Sequence, residues 1–246
     1  MTGTPPASRV QRVRHETKLR EVRVVRVNDV TPHFRSITFA GDALADFDSA
    51  SFDDHIKFIF GGDDGEVVKR DYTPRIFDRE ARELTIEFAL HAEGRAAQWA
   101  SRVLPGQSAR IGGPKSSFIV PLDYDWHFLA GDETALPAIA RRLEELPPTT
   151  RAIVLMQASD PADRRALHTA AELSVHWVPD AEQFLGAARA LQLPVGDGYV
   201  WCAGEASVMV KMRKFMLEEK QLRPEAMRIS SYWKLGAAAH HAVIDG

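Results

Sequence analysis

Arg70-Asp71-Tyr72-Thr73-Pro74-Arg75 is the stretch around which this 246-residue chain is organised. It follows a turn, Asp63-Asp64-Gly65, and the short strand signal of Val67 and Val68. On an extended chain Arg70 and Tyr72 project to one face. A guanidinium beside an aromatic ring suits a ligand with one anionic end and one flat end, because Arg pairs bidentately with phosphate and Tyr offers a ring for stacking. Pro74 donates no backbone hydrogen bond, so strand pairing ends here or lies at an edge, and Thr73 is free to turn its hydroxyl toward the same ligand. A plain edge strand with a surface Arg–Tyr pair has the same six residues, so the rest of the chain must decide.

Toward the N-terminus the pattern is one of short strands. Val22, Val24 and the run through Val27 suit one and residues 34–39 a second, with Asn28-Asp29 and Thr31-Pro32 between them. Residues 55–60 alternate Ile56, Phe58 and Phe60 against Lys57 and Ile59, and residues 84–90 alternate similarly. Short strands punctuated by Gly, Asp and Pro predict an N-terminal antiparallel β-barrel, or a sandwich, over residues 18–122. Residues 1–17, polar and carrying Pro5 and Pro6, read as a mobile leader. His91-Ala92-Glu93-Gly94 reads as a tight turn entering a short helix that carries Ala96, Ala97 and Trp99. The first turn of such a helix offers unpaired N–H groups to an anion; the same helix also serves as a plug for one barrel end. Gly112-Gly113-Pro114-Lys115 permits close backbone approach to a ligand, or a turn.

At Tyr124 the rhythm changes. Residues 126–130 form a short apolar run, after which Gly131-Asp132-Glu133-Thr134 opens a helix with Leu136, Ile139, Ala140 and Leu143 at helical spacing. Pro137 is tolerated because it falls in the first turn. Strand signals at 151–157, 173–178 and 199–203 alternate with helical ones at 184–191 and from Gly204-Glu205 onward. This alternation predicts a C-terminal α/β domain with a parallel sheet over residues 126–234, whose ligands sit beyond the strands' carboxyl ends. Residues 131–134, Ser159 and residues 204–207 fall at that edge. Residues 235–246, with His240 and His241 adjacent in an Ala-rich run, read as a solvent-exposed tail.

A net charge of −3 and the lack of a basic stripe give no reason to expect nucleic acid. No apolar run approaches the roughly 20 residues that span a bilayer, and residues 1–20 lack a secretory core, so the expectation is a cytoplasmic protein without membrane insertion. The single cysteine, Cys202, excludes an intramolecular disulfide and a cysteine-ligated cluster within one chain. No H-x-x-x-H or C-x-x-C spacing suggests a metal site, and no serine has a nucleophile-elbow context, so hydrolytic chemistry has no support.

With these pieces in order the chain resembles the siderophore-interacting proteins, flavin-dependent ferric-siderophore reductases related to the ferredoxin–NADP reductase superfamily. The resemblance is carried by Thr31-Pro32-His33-Phe34-Arg35, by residues 70–75, by His91 and Gly94 through Trp99, and by Gly131-Asp132-Glu133-Thr134 with the residues that follow. It continues in Ala203-Gly204-Glu205 and in Ser231-Tyr232-Trp233-Lys234-Leu235-Gly236. It implies an FAD-binding barrel followed by a domain for the electron donor, which is NADPH, NADH or, in some relatives, ferredoxin. Arg70 would hold FAD phosphate, Tyr72 would stack on the isoalloxazine and Thr73 would approach its reactive edge. His91, Gly94, Ala96, Ala97 and Trp99 would complete the FAD site, with the pyrophosphate over residues 94–97. Gly131, Asp132, Thr134, Gly204 and Glu205 would border the nicotinamide. Arg95 stands where many relatives have Gly, and Ala97 where many have Ser, which removes a hydroxyl contact at that position.

The flavin would do the redox chemistry, so no protein acid, base or nucleophile is required, and no resident metal. The substrate would be an anionic ferric siderophore, a catecholate being one class, whose iron is released on reduction because Fe(II) is held less well. A protein of net charge −3 must then gather positive charge locally. Lys57 and Lys234 are the main candidates for that rim, Lys115 and Arg75 the weaker ones; each alone also reads as a solvated cation. Ser159 with Arg164 and Arg165 suits the 2′-phosphate of NADPH, or a solvated helix start. A general flavin or ferredoxin reductase, and a carrier that binds siderophore or flavin without turnover, are the other readings.

Overall fold

Ile56, Phe58 and Phe60 alternate along one strand, and burying all three decides how the N-terminal half closes. The computed structural model describes residues 9–61, 67–90, 94–237 and 242–244. Seven strands form one antiparallel sheet: β2 (Leu19–Thr31), β3 (Phe34–Ala40), β4 (Ile56–Gly61), β5 (Val67–Tyr72), β6 (Ile76–Asp78), β7 (Glu83–Ala89) and β8 (Ser108–Gly112), in the order β5-β4-β8-β2-β3-β7-β6. Two strands separate β4 from β3 in that order, yet Phe58 lies 5.5 Å from Phe39 of β3 and 5.3 Å from Phe88 of β7. The sheet is therefore rolled around a single core, as the alternation predicts. Helix α1 (Arg95–Arg102) closes one end, its Trp99 ring 4.9 Å from Phe58 and 5.4 Å from Phe60.

The predicted mobile leader is corrected in part. Strand β1 (Gln11–Arg14) pairs antiparallel with β9 (Ser116–Ile119), and His15 N–H donates to Lys115 O at 3.1 Å. The Arg9 guanidinium bonds Asp123 and Asp197, clipping the start of the chain to the junction between the two halves. Every side chain of β1 is exposed, so the strand is held by backbone pairing and ion pairs that leave no apolar rhythm in the sequence.

The C-terminal half is a mostly parallel sheet in the order β12-β11-β10-β13-β14-β15. Its strands are β10 (Trp126–Gly131), β11 (Arg151–Gln157), β12 (Glu172–Val178), β13 (Gly198–Glu205), β14 (Met227–Trp233) and β15 (Ala242–Val243). The last is antiparallel to β14, so the supposed tail returns to the sheet. Helices α3 (Ala181–Ala190) and α4 (Ala206–Glu218) cover one face, burying Phe184, Met209, Met212, Phe215 and Met216. Helix α2 (Leu136–Glu145) covers the other, in a core that also takes in Phe34 and Phe52 from the barrel. The two halves therefore share a core. Arg142, buried on α2, donates to the carbonyls of Val120 and Pro121 at 3.1 and 2.7 Å, so the connecting segment is itself packed.

Candidate active site

Strand β5 is an edge strand, paired only with β4, and ends at Tyr72 as Pro74 requires. Tyr72 is half-buried, its ring 4.4 Å from Phe88 and 5.9 Å from Phe58, and burial pushes its phenol up so that it stays protonated. Arg70, on the same strand face, is half-buried too. Its Nη1 donates to Lys69 O at 2.8 Å, and among the described residues it pairs with no carboxylate. Thr73 is buried beside them. Helix α1 packs against β3, β5 and β7, and its N-cap, Gly94, supplies no side-chain cap to the first turn. Ala96 and Ala97 keep that turn small. A guanidinium without a carboxylate, a phenol ring and an uncapped helix start form a donor set that fits the phosphates and flat ring of FAD. His91 lies outside the described residues. Trp99 is half-buried, its ring packed among Phe39, Phe58, Phe60 and Phe88, so it supports α1 from the barrel core.

Arg75 is also corrected. It is only 9% exposed and forms a bidentate pair with Glu144 of α2 at 2.8 and 2.5 Å, with Nε 3.5 Å from Glu87 Oε1. A charge so enclosed is not available to a substrate rim. Burial lowers the pKa of its guanidinium, but the two carboxylates outweigh that and leave it above its ordinary value.

At the carboxyl edge of the parallel sheet lies a cavity of about 270 Å³ lined in part by Asp132, Gln157, Glu205, Ser207, Trp233 and Leu235. Gly131 and Gly204 are there because nothing larger fits: an added Cβ would lie 2.3 Å from Ala203 O at the first and 2.6 Å from Asp132 Oδ2 at the second. Asp132 is buried and serves four donors. Oδ1 accepts from Thr134 N and Oγ1 at 2.9 and 2.5 Å, and Oδ2 accepts from Glu205 N and Trp233 Nε1 at 2.9 and 2.8 Å. Burial raises its pKa despite those bonds. Glu205 caps α4 through Ser207 and Val208; burial pushes its carboxyl up, but the hydrogen bonds prevail and hold it below its usual range. Thr134 is exposed at the rim. Trp233, Leu235 and Gln157 are pocket residues that sequence reasoning missed, although the Tyr232-Trp233 pair in the last quoted motif is a signal for one of them.

The phosphate-clamp reading needs revision at two of its three residues. Arg165 donates to Glu87 at 2.5 Å, and Ser159 N and Oγ both donate to Glu133 Oε1, at 3.1 and 3.3 Å. Arg164 remains exposed. Of the rim cations, Lys115 and Lys234 are exposed, and Lys57 pairs with Asp71 across the β4–β5 hairpin at 2.7 Å. Lys57 and Lys234 share no hydrogen-bond or ion-pair partner among the described residues, so the structure does not join them directly.

Thr31, His33 and the segment after β11 meet unexpectedly. Asp163, almost wholly buried, accepts from Thr31 Oγ1 at 2.6 Å and His33 N at 3.1 Å, with His33 Nδ1 2.9 Å from its second oxygen. With Asp160 these residues bring three ligand-type atoms within 4.8 Å of one another, where the sequence suggests no metal spacing. Both Asp163 oxygens are already engaged, and the group works as a tie between the two halves.

The barrel and the cavity at the parallel sheet's carboxyl edge meet at the end of β14. Tyr232 OH donates to Asp53 Oδ1 at 3.3 Å, Arg228 pairs with the same carboxylate, and the next residue, Trp233, reaches Asp132. A rolled antiparallel sheet set against the carboxyl edge of a parallel sheet gives the chain a two-domain fold of the ferredoxin–NADP reductase type. Two solved flavohemoglobin-type structures share that fold at 13 and 14% identity, with TM-scores of 0.63 and 0.65. More specifically, the chain belongs to the siderophore-interacting protein family: "Siderophore-interacting protein" matches residues 124–236, and "Siderophore-interacting FAD-binding domain" matches residues 23–69 and 62–118. An NADPH-dependent ferric-chelate reductase of Escherichia coli K12 is 33% identical, over 91% of this chain and 96% of that protein. Ferric vibriobactin reductase ViuB of Vibrio cholerae is 28% identical, over 90% and 93%. The crystal structure of a siderophore utilization protein from T. fusca matches with a TM-score of 0.89 at 29% identity, covering 94% of this chain and 98% of that one.

Proposed function

We propose that this protein is an FAD-dependent ferric-siderophore reductase that takes electrons from NADPH or NADH and releases iron as Fe(II). The observation that carries this is a short connection: Tyr232 bonds Asp53, three residues before Ile56, the register partner of Tyr72, and the next residue, Trp233, bonds Asp132 of the cavity. Bound FAD would supply the conversion between a two-electron hydride donor and the one-electron reduction of two Fe(III) in turn. The residues do the rest. Arg70 and the first turn of α1, through Gly94, Ala96 and Ala97, bind phosphate, while Tyr72 and Thr73 orient the ring. Gly131, Asp132, Thr134, Gly204 and Glu205 shape the donor pocket, with Trp233 as its wall toward the barrel. Lys57, Lys115 and Lys234 offer positive charge to an anionic iron complex.

Among the described residues no helix is long and apolar enough to cross a membrane. A cytoplasmic setting, where nicotinamide nucleotides are held, goes with the reading. Purified protein should show flavin absorbance that bleaches on anaerobic addition of NADPH or NADH and returns with a ferric catecholate. A colourless protein that still binds the ferric complex would point to a carrier. Flavin bleached only by reduced ferredoxin would change the donor.

A further inference from the structure

Arg75 closes the stretch that presents Arg70, Tyr72 and Thr73, yet its guanidinium bonds the other domain. Its bidentate pair is with Glu144 of α2, and one residue earlier the carbonyl of Pro74 accepts from Arg141 Nη1 at 3.0 Å. Arg141 and Glu144 lie three residues apart, on one side of that helix. Arg141 also donates to Ser49 Oγ and O, both at 2.8 Å, so the helix grips the barrel at a second loop. The opposite end of α2 grows out of the 131–134 turn that borders the donor cavity. Helix α2, ten residues and about 15 Å long with Glu144 and Glu145 exposed at its far end, thus runs from the donor pocket to the flavin-facing stretch. Glu87 adds a second tie, since it sits between Arg75 and Arg165 of the segment after β11.

An ion pair with one partner exposed adds little to stability, but a bidentate guanidinium–carboxylate pair adds direction. We propose that Arg75 is a positioning residue: through Glu144 and Glu87 it holds Tyr72 and Thr73 at one setting relative to the donor pocket. Nicotinamide and flavin then meet in reacting geometry. The role rests on the reading of the protein as a nicotinamide-driven flavin reductase. It is of a kind to which rate is sensitive, because a misplacement of roughly 1 Å between reactants can cost about a hundredfold.

The test uses the full chain with FAD, in Glu144→Gln, Arg75→Met and the conservative Arg75→Lys. Flavin content and donor KM should stay near wild type, while flavin reduction by NADPH or NADH in anaerobic stopped flow slows roughly ten- to a hundredfold. Reoxidation of dithionite-reduced protein by a ferric catecholate should keep its rate, and Arg75→Lys should recover part of the loss. In the apoprotein, hydrogen exchange at the amides of Asp71, Tyr72 and Thr73 should speed up in Glu144→Gln while β2 and β3 keep their protection. Unchanged nicotinamide-driven rates in flavin-loaded Glu144→Gln and Arg75→Met would overturn the proposal. Parallel loss of flavin, of both half-reactions and of protection across the barrel would also overturn it, leaving a structural role only. Wild-type flavoprotein that neither nicotinamide reduces would instead sink the functional reading, and the exchange data alone would then decide whether Arg75 and Glu144 hold the stretch.

Discussion

The two sides of the seam treat their polar groups in opposite ways. On the barrel side Arg70 pairs with no described carboxylate and the first turn of α1 has no capping side chain. On the α/β side Asp132, Thr134, Glu205, Ser207 and Trp233 are hydrogen-bonded to one another or to nearby backbone, and Glu133 is held by Ser159. The cavity they border includes Asp132 and Glu205 in its lining and, among the described residues, no lysine or arginine. On the proposed reading, a resident cofactor with a pyrophosphate would use donors that folding left without an acidic partner. A donor that must come and go would meet a pocket that keeps its own shape, and an acid-lined pocket suits the uncharged part of a dinucleotide better than its phosphates.

The sharpest way to break this contrast is Arg70→Ala. A charge-assisted hydrogen bond contributes about 1.5–3 kcal/mol, so FAD affinity should fall by about a hundredfold in a fluorescence-quenching titration, with the fold intact. A fully flavinated variant would show that the Arg70 guanidinium is not what binds the phosphate.

A group that is neither free nor committed makes the next test. His127 is wholly buried, its ring nitrogens have no hydrogen-bond partner among the described residues, and burial, with Arg142 adding to it, lowers its pKa to about 3. An unfolded histidine takes its proton near pH 6.5, so below that pH the unfolded chain binds more protons and stability drops as pH falls. The slope is about 1.4 kcal/mol per pH unit, or roughly 2 kcal/mol between pH 6.5 and 5. Denaturant melts at those two values should show the loss, and His127→Leu should flatten it. An equal loss in the variant would place the acid sensitivity elsewhere.

Tyr72→Ala should weaken FAD by about tenfold, in line with an aromatic pair contribution of about 0.5–1.5 kcal/mol, and should brighten the fluorescence of flavin that still binds. Unchanged quenching would remove the stacking role. The smallest effect belongs to Lys57→Ala combined with Lys234→Ala. Lys57 is already compensated by Asp71, so KM for a ferric catecholate should rise only about two- to fourfold, and added salt should mimic the change by screening. Hydride transfer from nicotinamide should be untouched, and a KM that stays constant at low salt would remove both lysines from the rim.

What was legible in the sequence was what is local. The alternation of Ile56, Phe58 and Phe60 announces a strand with one buried face, and Gly131-Asp132-Glu133-Thr134 announces the helix opening at which the structure has Asp132 accept from Thr134 N. Strand β14 shows no alternation, because its neighbours bury it unevenly, and it was missed. Arg75 and Arg165 read as free cations because their carboxylate partners lie 69 and 78 residues away, a distance across which spacing carries no information. Lys57 misled for a milder reason: Asp71 is its partner only in the register that the β4–β5 hairpin adopts.

The packed connection between the halves bears on how such a protein is taken apart. Arg142 donates to the carbonyls of Val120 and Pro121, and Arg9 grips Asp123 and Asp197 on either side of β10. A gene cut at residue 122 would leave a buried guanidinium without its acceptors in one fragment and strip the N-terminal clip from both. Chimeras that trade donor domains between relatives should therefore carry residues 9–14 and 118–125 along with the domain that is kept, so that the graft replaces the pocket and spares the joint.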